Sequence, residues 1–390
     1  MKRIAIEPRA NLAARAAETG FDFHTVDGAV YWDESAYYAF SLDQIEQHIE
    51  APTAELAQMC LDLVDRVAAD ERLLTRLAIP NHAWDLIASS WRRADPCLYG
   101  RFDFAYDGRA PVRLLEYNAD TPTALFEAAV FQWIWLEDCI AAGTLPAGSD
   151  QFNSIHEALI ARLGEIRAKA GASPGLHLAC MKGSAEDQGL VAYLADCAGQ
   201  AGFATRLLAI EDIGSIDRGP FIDLDQAPIR LLFKLYPWEW LFADAFARKP
   251  SMRQTRFIEP PWKAILSNKG ILPLLWALAP GHPNLLEAYF EDDPKRADLG
   301  ARYVRKPLYS REGANVELID GGAVHARSGG TYGAEGHILQ SVAALPAFDG
   351  NHPVIGSWVI GAAAAGIGVR EDASPITTNA SRFVPHAILA

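Results

Sequence analysis

The feature that most constrains this chain is a pair of short segments, Gly100-Arg101-Phe102-Asp103-Phe104 and Leu115-Glu116-Tyr117-Asn118-Ala119-Asp120. Both read as strands. Side chains alternate along a strand, so Arg101 and Asp103 share one face while Phe102 and Phe104 take the other. Glu116 and Asn118 likewise share a face, with Leu115 and Tyr117 opposite. Two polar residues pointing the same way on each of two neighbouring strands is not a core pattern.

Register decides whether the four polar groups converge. A tight turn at Asp107-Gly108 places Glu116 opposite Tyr99, roughly 13 Å along the strand from Asp103 at about 3.4 Å per residue. A looser loop over 107–112 places Asp103 directly opposite Glu116. Pro111 cannot donate to a ladder, which favours the looser loop. In that register Asp103, Glu116 and Asn118 form an oxygen-only cluster beside Arg101. Hard Mg²⁺ prefers carboxylates, carbonyls and substrate phosphates. An adjacent arginine suits the charge that develops on a transferring phosphoryl group. The same pattern also fits a surface ion-pair ladder across a hairpin.

The surrounding sequence supplies a large core. Of 390 residues, 50% are hydrophobic, and ten are tryptophan, which argues against disorder. That length implies about two or three structural units. The expected division is 1–150 with the polar strand pair, 151–245 as an α/β unit, and 246–390 as a nucleotide-binding part. A formal net charge of -14 repels phosphate backbones and anionic lipid, so neither nucleic acid nor a membrane surface is an expected partner. The acidity serves solubility and also favours a cationic ligand such as a polyamine. Five scattered cysteines, with no CxxC pair, point away from disulfides and structural zinc. The first ten residues have no apolar signal region, and the longest apolar run, 354–369, carries glycines and reads as strand–turn–strand core. A cytoplasmic location is expected. The sequence does not set the oligomeric state.

Residues 35–90 read as largely helical, with Ser41 as an N-cap and Pro80 opening a helix through Trp91. A long helix is expected over 122–141, with Thr121 as N-cap and Pro122 at its first position. Helices at 154–170 and 186–201 alternate with strands at 176–181, 204–210 and 230–235, the signature of a parallel α/β layer. From Tyr303 onward short strands dominate and read as antiparallel sheet. The expected fold class is α+β with an embedded α/β subdomain.

Single residues add weaker signals. Lys306 lies in an apolar strand, where a buried ammonium needs an anion; an edge-strand lysine is the alternative. Lys269 is expected in a helix interrupted by Pro273. The segment 311–315 is a glycine-containing turn whose amides can cradle an anion. Glu186 and Asp187 open a helix, where acidic residues offset the dipole without any ligand. Trp238-Glu239-Trp240 could hold an ammonium, or simply start a helix at Pro237. GxxxxGK[ST] and HExxH do not occur, so a P-loop enzyme and a zinc protease are unsupported.

GRFDF followed by LLEYNADTPT resembles the signature of the glutathionylspermidine synthase family, within the ATP-grasp superfamily. SNKGILPLLW from Ser267, VRKP from Val304, YSREGANV from Tyr309, VRED from Val369, Pro375-Ile376-Thr377 and Ser381-Arg382-Phe383 agree with it. The resemblance runs from about Val30 to His386. It implies an ATP-grasp-like fold and an ATP- and magnesium-dependent ligase. Arg101 would be catalytic, stabilising the phosphoryl group, and Asp103, Glu116 and Asn118 would hold two magnesium ions. Arg101, Phe102 and Asp103 would meet ATP, with Lys269 and Lys306 as its lysines. Glu312 and Gly313 would cover the phosphates, Gln340 would lie on the strand passing the adenine edge, and Pro375, Ile376 and Thr377 would contact the nucleotide. Thr121 and Thr123 match two serines of the acid-substrate site, and Glu186 and Asp187 fall where polyamine-using members carry acids. Bifunctional members have an additional N-terminal amidase domain for which this chain has no room; it resembles the stand-alone acid–amine ligases, and amidase activity is expected to be absent.

Chemistry ties these roles together. A free carboxylate does not acylate an amine, and ATP overcomes this by forming an acyl phosphate. That intermediate needs shelter from water, and the glycine-containing loops 311–315 and 329–336 are lid candidates, expected to be mobile without nucleotide. The expected small-molecule partners are a carboxylate and an amine. An ATPase or phosphotransferase on the same nucleotide site, or a non-catalytic ATP-binding module, are the alternatives.

Overall fold

A computed structural model describes residues 1–26, 28–171 and 175–389. Its architecture is the expected α+β fold with an embedded parallel unit. One five-stranded antiparallel sheet runs in the order Arg382–Val384, Ala363–Asp372, His352–Ile360, Tyr99–Ala105, Arg113–Asn118. A second follows the order Ala288–Phe290, His337–Ser341, Arg302–Pro307, Glu317–Asp320, Ala323–Arg327. The polar strand pair thus shares a sheet with strands from the far end of the chain.

The parallel unit is a four-stranded sheet in the order Arg256–Ile258, Leu231–Leu235, Gly175–Cys180, Ala204–Ala209. Its central strand, Leu231–Leu235, is buried throughout, as expected of a strand covered on both faces. The helices Ile155–Ala170 and Ala185–Gln200 belong to this unit, and Ser184 caps the second through its hydroxyl. Among the described residues, no helix is long and apolar enough to cross a membrane.

Three local expectations are corrected. Residues 35–90 are not helical from the start: Ala36–Phe40 is a fully buried strand, held between Lys2–Ala5 and His386–Ile388. Its tyrosines and phenylalanine suit a pleated surface, and pairing with segments from both ends of the chain overrides any helical tendency. Helix begins only after Ser41, whose capping box with Gln44 is present.

The helix expected from Pro122 begins later, at Leu125, and Thr121 does not cap it. Ala124 adopts a left-handed φ of 65°, which interrupts the helix, and the preceding residues run free of regular structure. Lys269 is in a turn between Lys263–Leu266 and Ile271–Leu278 rather than within a helix. Pro273 falls in the first turn of the second helix, where backbone N–H groups lack intrahelical acceptors anyway.

Candidate functional site

The polar strands pair as the looser loop requires. Asp103 is opposite Glu116, Arg101 opposite Asn118, and Phe102 opposite Tyr117. The register then shifts by one residue beyond Asp103, a bulge that lets Leu115 line the same cleft as Glu116 instead of following Tyr117 to the opposite face. Phe102 does follow Tyr117. Its ring is fully buried and stacks on the Tyr117 ring with centroids 4.0 Å apart, so the side chain faces away from the cleft. The alternation that aims Arg101 and Asp103 inward dictates this, and Phe102 offers the cleft no side-chain group.

Arg101 is held on three sides. Its Nε and Nη2 donate to the two Asp103 oxygens at 2.6 and 2.9 Å, and Nη1 donates to the Thr123 carbonyl at 2.6 Å. The guanidinium carbon lies 5.8 Å from the Trp358 ring centroid. On the neighbouring strand Gly356 makes room: a Cβ there would stand 2.7 Å from Arg101 Cδ. Sequence reasoning missed Gly356 and the Thr123 carbonyl. A glycine inside an apolar strand is a signal of close approach and could have found the first.

The other expected groups meet at the same cleft. Asn118 Nδ2 donates to Asp103 at 2.9 Å and to Glu116 at 3.1 Å. Lys269 Nζ reaches Glu116 Oε2 at 2.8 Å and the Ser310 carbonyl at 2.5 Å. Lys306 Nζ donates to the Leu115 carbonyl at 2.9 Å and to Gln340 Oε1 at 2.7 Å, while Gln340 Nε2 donates to the Leu114 carbonyl at 3.0 Å. The Gln340 amide therefore orients Lys306 and ties the second sheet to the polar strand pair.

Burial and charge shape the titration of these groups. Burial pushes the Lys306 ammonium down to about 8, with Glu116 opposing the shift. Burial alone would raise Glu116, but Lys269 and Lys306 outweigh it and hold that carboxyl at about 2. Asp103 is raised by burial, only partly offset by Arg101.

The cleft has two adjoining parts. The larger, a cavity of about 700 Å³, lies between the two five-stranded sheets. Asp103, Glu116, Lys306, Gly313 and Gln340 line it, as do Pro375, Ile376 and Thr377. The smaller is lined by Arg101, Asn118, Thr121, Thr123, Glu312 and Arg370, and shares Asp103, Glu116, Gly313 and Thr377 with the first. Glu312 and Gly313 have φ of 52° and 68°, so the loop turns sharply between both parts. Its partner loop is joined to it: the Asn315 backbone N–H donates to the Gly329 carbonyl at 3.2 Å, and the Tyr332 backbone N–H donates to Asn315 Oδ1 at 2.9 Å.

Glu186 and Asp187 stand in the first turn of Ala185–Gln200, outside the lining of both parts. Burial raises the Glu186 carboxyl to about 7, helped by Glu127. Asp187 is also raised by burial, with Arg311 opposing and Glu312 adding to the shift.

Among the described residues, no three His, Cys, Asp or Glu side chains group as a metal cage. The two carboxylates of Asp103 and Glu116, with the Asn118 amide beside them, are instead a partial donor set. That chemistry fits a hard divalent cation completed by waters and substrate phosphates.

Residues 3–389 match the family described as Glutathionylspermidine synthase preATP-grasp. A Haemophilus influenzae protein provisionally named acid–amine ligase is 44% identical, over 99% of this chain and 99% of its own. Trypanothione synthetase of Crithidia fasciculata is 31% identical over 84% of this chain, which spans 53% of that protein. The bifunctional glutathionylspermidine synthetase/amidase of Escherichia coli is 28% identical over 92% of this chain and 60% of its own length. A glutathione synthetase-like effector from Globodera pallida superposes with a TM-score of 0.59 at 11% identity, covering 98% of each chain, a likeness of fold. With the match spanning both sheets, the parallel unit and every residue of the cleft, the chain belongs to the glutathionylspermidine synthase family of the ATP-grasp superfamily.

Proposed function

We propose that this protein is an ATP- and magnesium-dependent ligase that joins a carboxylate to an amine through an acyl phosphate. One observation carries the reading: Arg101, Asp103, Glu116 and Asn118 gather with the Lys269 and Lys306 ammonium groups at one cleft between two sheets. Cations interleaved with oxygen donors suit a polyphosphate and its metal.

In this reading the larger cavity takes ATP, and the smaller one takes the acid beside Thr121 and Thr123. Lys269 and Lys306 bind phosphate oxygens, and the 311–315 loop covers them. Asp103, Glu116 and Asn118 would hold magnesium, which supplies charge neutralisation of the phosphates when bound. Asn118 presents its oxygen to that position after a half-turn of its amide. Arg101 orients the γ-phosphoryl group and stabilises its developing charge. A carboxylate oxygen attacks the γ-phosphorus and the bond to ADP breaks. The amine nitrogen then attacks the acyl carbon, phosphate leaves, and the nitrogen gives up a proton. Glu186 and Asp187 attract the cationic amine from the far side of the loop.

The test is a phosphate-release screen across carboxylates and amines with MgATP, followed by mass analysis of the product. The reading expects ADP formation that depends on both substrates and matches amide yield mole for mole. ADP formation indifferent to every amine, with no amide formed, would overturn it.

A further inference from the structure

We propose that Asp120 is a positioning residue for Arg101, and that its buried ion pair with Lys234 sets where the Arg101 guanidinium stands. The consequence for turnover rests on the ligase reading above; the positioning itself does not.

Asp120 lies two residues beyond the strand that carries Glu116 and Asn118. Its Oδ1 accepts from Lys234 Nζ at 2.8 Å, and its Oδ2 accepts from the Trp238 backbone N–H at 2.8 Å. Lys234 also donates to the Tyr236 carbonyl at 2.8 Å, and its ammonium lies 4.2 Å from the Trp238 ring centroid. Both side chains of the pair are 1% exposed. Withdrawing two charges from water is costly, and such a pair is weak evidence for stability. What this pair does fix is backbone: every hydrogen bond beyond the ion pair goes to a main-chain group of 236–238.

The anchor is firm. Lys234 belongs to Leu231–Leu235, which is paired on both sides in the parallel sheet. The anchored segment, 121–124, has no regular structure of its own and ends in the left-handed Ala124. Yet it supplies two carbonyls to the site. Thr123 accepts from Arg101 Nη1 at 2.6 Å, and Thr121 accepts from Arg311 Nη2 at 3.3 Å. The Asp120–Lys234 pair is therefore the fixed end of a short lever whose free end holds Arg101. A catalytic fork needs support from a rigid element, and here a central strand provides it through one carboxylate.

Asp120→Asn tests this by two measurements. The first is amide hydrogen exchange of the full chain. Exchange over the 119–126 region is expected to accelerate about tenfold or more, with the buried strand Leu231–Leu235 unchanged. The second is phosphate release from MgATP with glutathione and spermidine as probes. Turnover is expected to fall about tenfold or more while KM for ATP stays within about twofold. In an Arg101→Lys background the same substitution should cost less than about twofold further, because both changes act through one group. If Asp120→Asn fails to fold, the Asp120→Asn, Lys234→Met pair removes both buried charges together and carries the same test. Unaltered exchange over 119–126, or losses that multiply in the Arg101→Lys background, would overturn the proposal. Wild-type protein with no amine-dependent phosphate release counts against the ligase reading alone, and the exchange result still decides the lever.

Discussion

Asp103 and Glu116 face each other across the polar strand pair, yet their carboxyls are driven in opposite directions. Burial raises Asp103 despite its bidentate Arg101, whereas Lys269 and Lys306 hold Glu116 at about 2. Glu116 is thus the ionised oxygen donor, and its charge also holds the Lys269 ammonium at 2.8 Å. Glu116→Gln should raise the magnesium concentration for half-maximal turnover about tenfold or more, as losing a ligand from a carboxylate set does. A magnesium titration of turnover checks this, and an unshifted curve would remove Glu116 from the metal set.

Arg101→Ala removes a three-point-held guanidinium from the phosphoryl position. Losing one preorganised charge-stabilising donor typically costs about 100- to 1,000-fold in turnover. Nucleotide affinity should be largely spared, since Lys269 and Lys306 remain. Steady-state turnover alongside calorimetric binding of a non-hydrolysable MgATP analogue separates the two. Persistent activity would remove Arg101 from its role.

How far the sequence foretold this site depends on what kind of signal each residue carries. Alternation is local, so the shared face of Arg101, Asp103, Glu116 and Asn118 was readable from spacing. Pro111 correctly favoured the register that sets Asp103 against Glu116. The bulge that frees the Leu115 carbonyl for Lys306 was not readable, because it depends on contact with a second sheet. The early strand Ala36–Phe40 escaped for the same reason, as both its partners come from the chain's ends. Left-handed Ala124 defied the Thr-Pro helix-start pattern, since two arginines claim the carbonyls that a helix would have used.

Lys306 makes nucleotide binding depend on pH. In the free protein its ammonium loses its proton near about 8, well below the ordinary lysine value. Polyphosphate favours the charged form and raises that value again. Above about pH 8 binding must therefore take up as much as about one proton, and affinity must fall as pH rises; well below it, neither effect remains. Calorimetry in buffers of different ionisation enthalpy measures the uptake. Lys306→Met should abolish it, and uptake that survives this substitution would assign the titration elsewhere.

Glu186 gives a pH effect of the opposite sense. Its carboxyl is raised to about 7, chiefly by burial, so it is neutral below that pH and anionic above it. An ammonium is attracted only by the anion. KM for the amine should fall as pH rises through about 7, by about tenfold between the two limits if this charge carries the attraction. Glu186→Gln should flatten the profile at the weak-binding level. A profile unaltered by this substitution would place amine recognition on other groups.

Gly356 provides the sharpest geometric test, because it separates position from chemistry. A methyl group at this strand position would stand 2.7 Å from Arg101 Cδ and 3.2 Å from Nε. Arg101 cannot yield without stretching its bonds to Asp103 or to the Thr123 carbonyl. Overpacking of this kind costs about 1–3 kcal/mol in stability, which a domain of this size tolerates with a modest fall in Tm. Misplacing a catalytic group by about 1 Å, in contrast, costs about 100-fold in rate. Gly356→Ala should therefore remain folded and lose most of its turnover. Gly148→Ala is the control, since nothing lies within 4 Å of a Cβ there. Melting curves and turnover measured on both variants decide the matter: equal activity in the two would mean that the position of Arg101 does not limit the reaction.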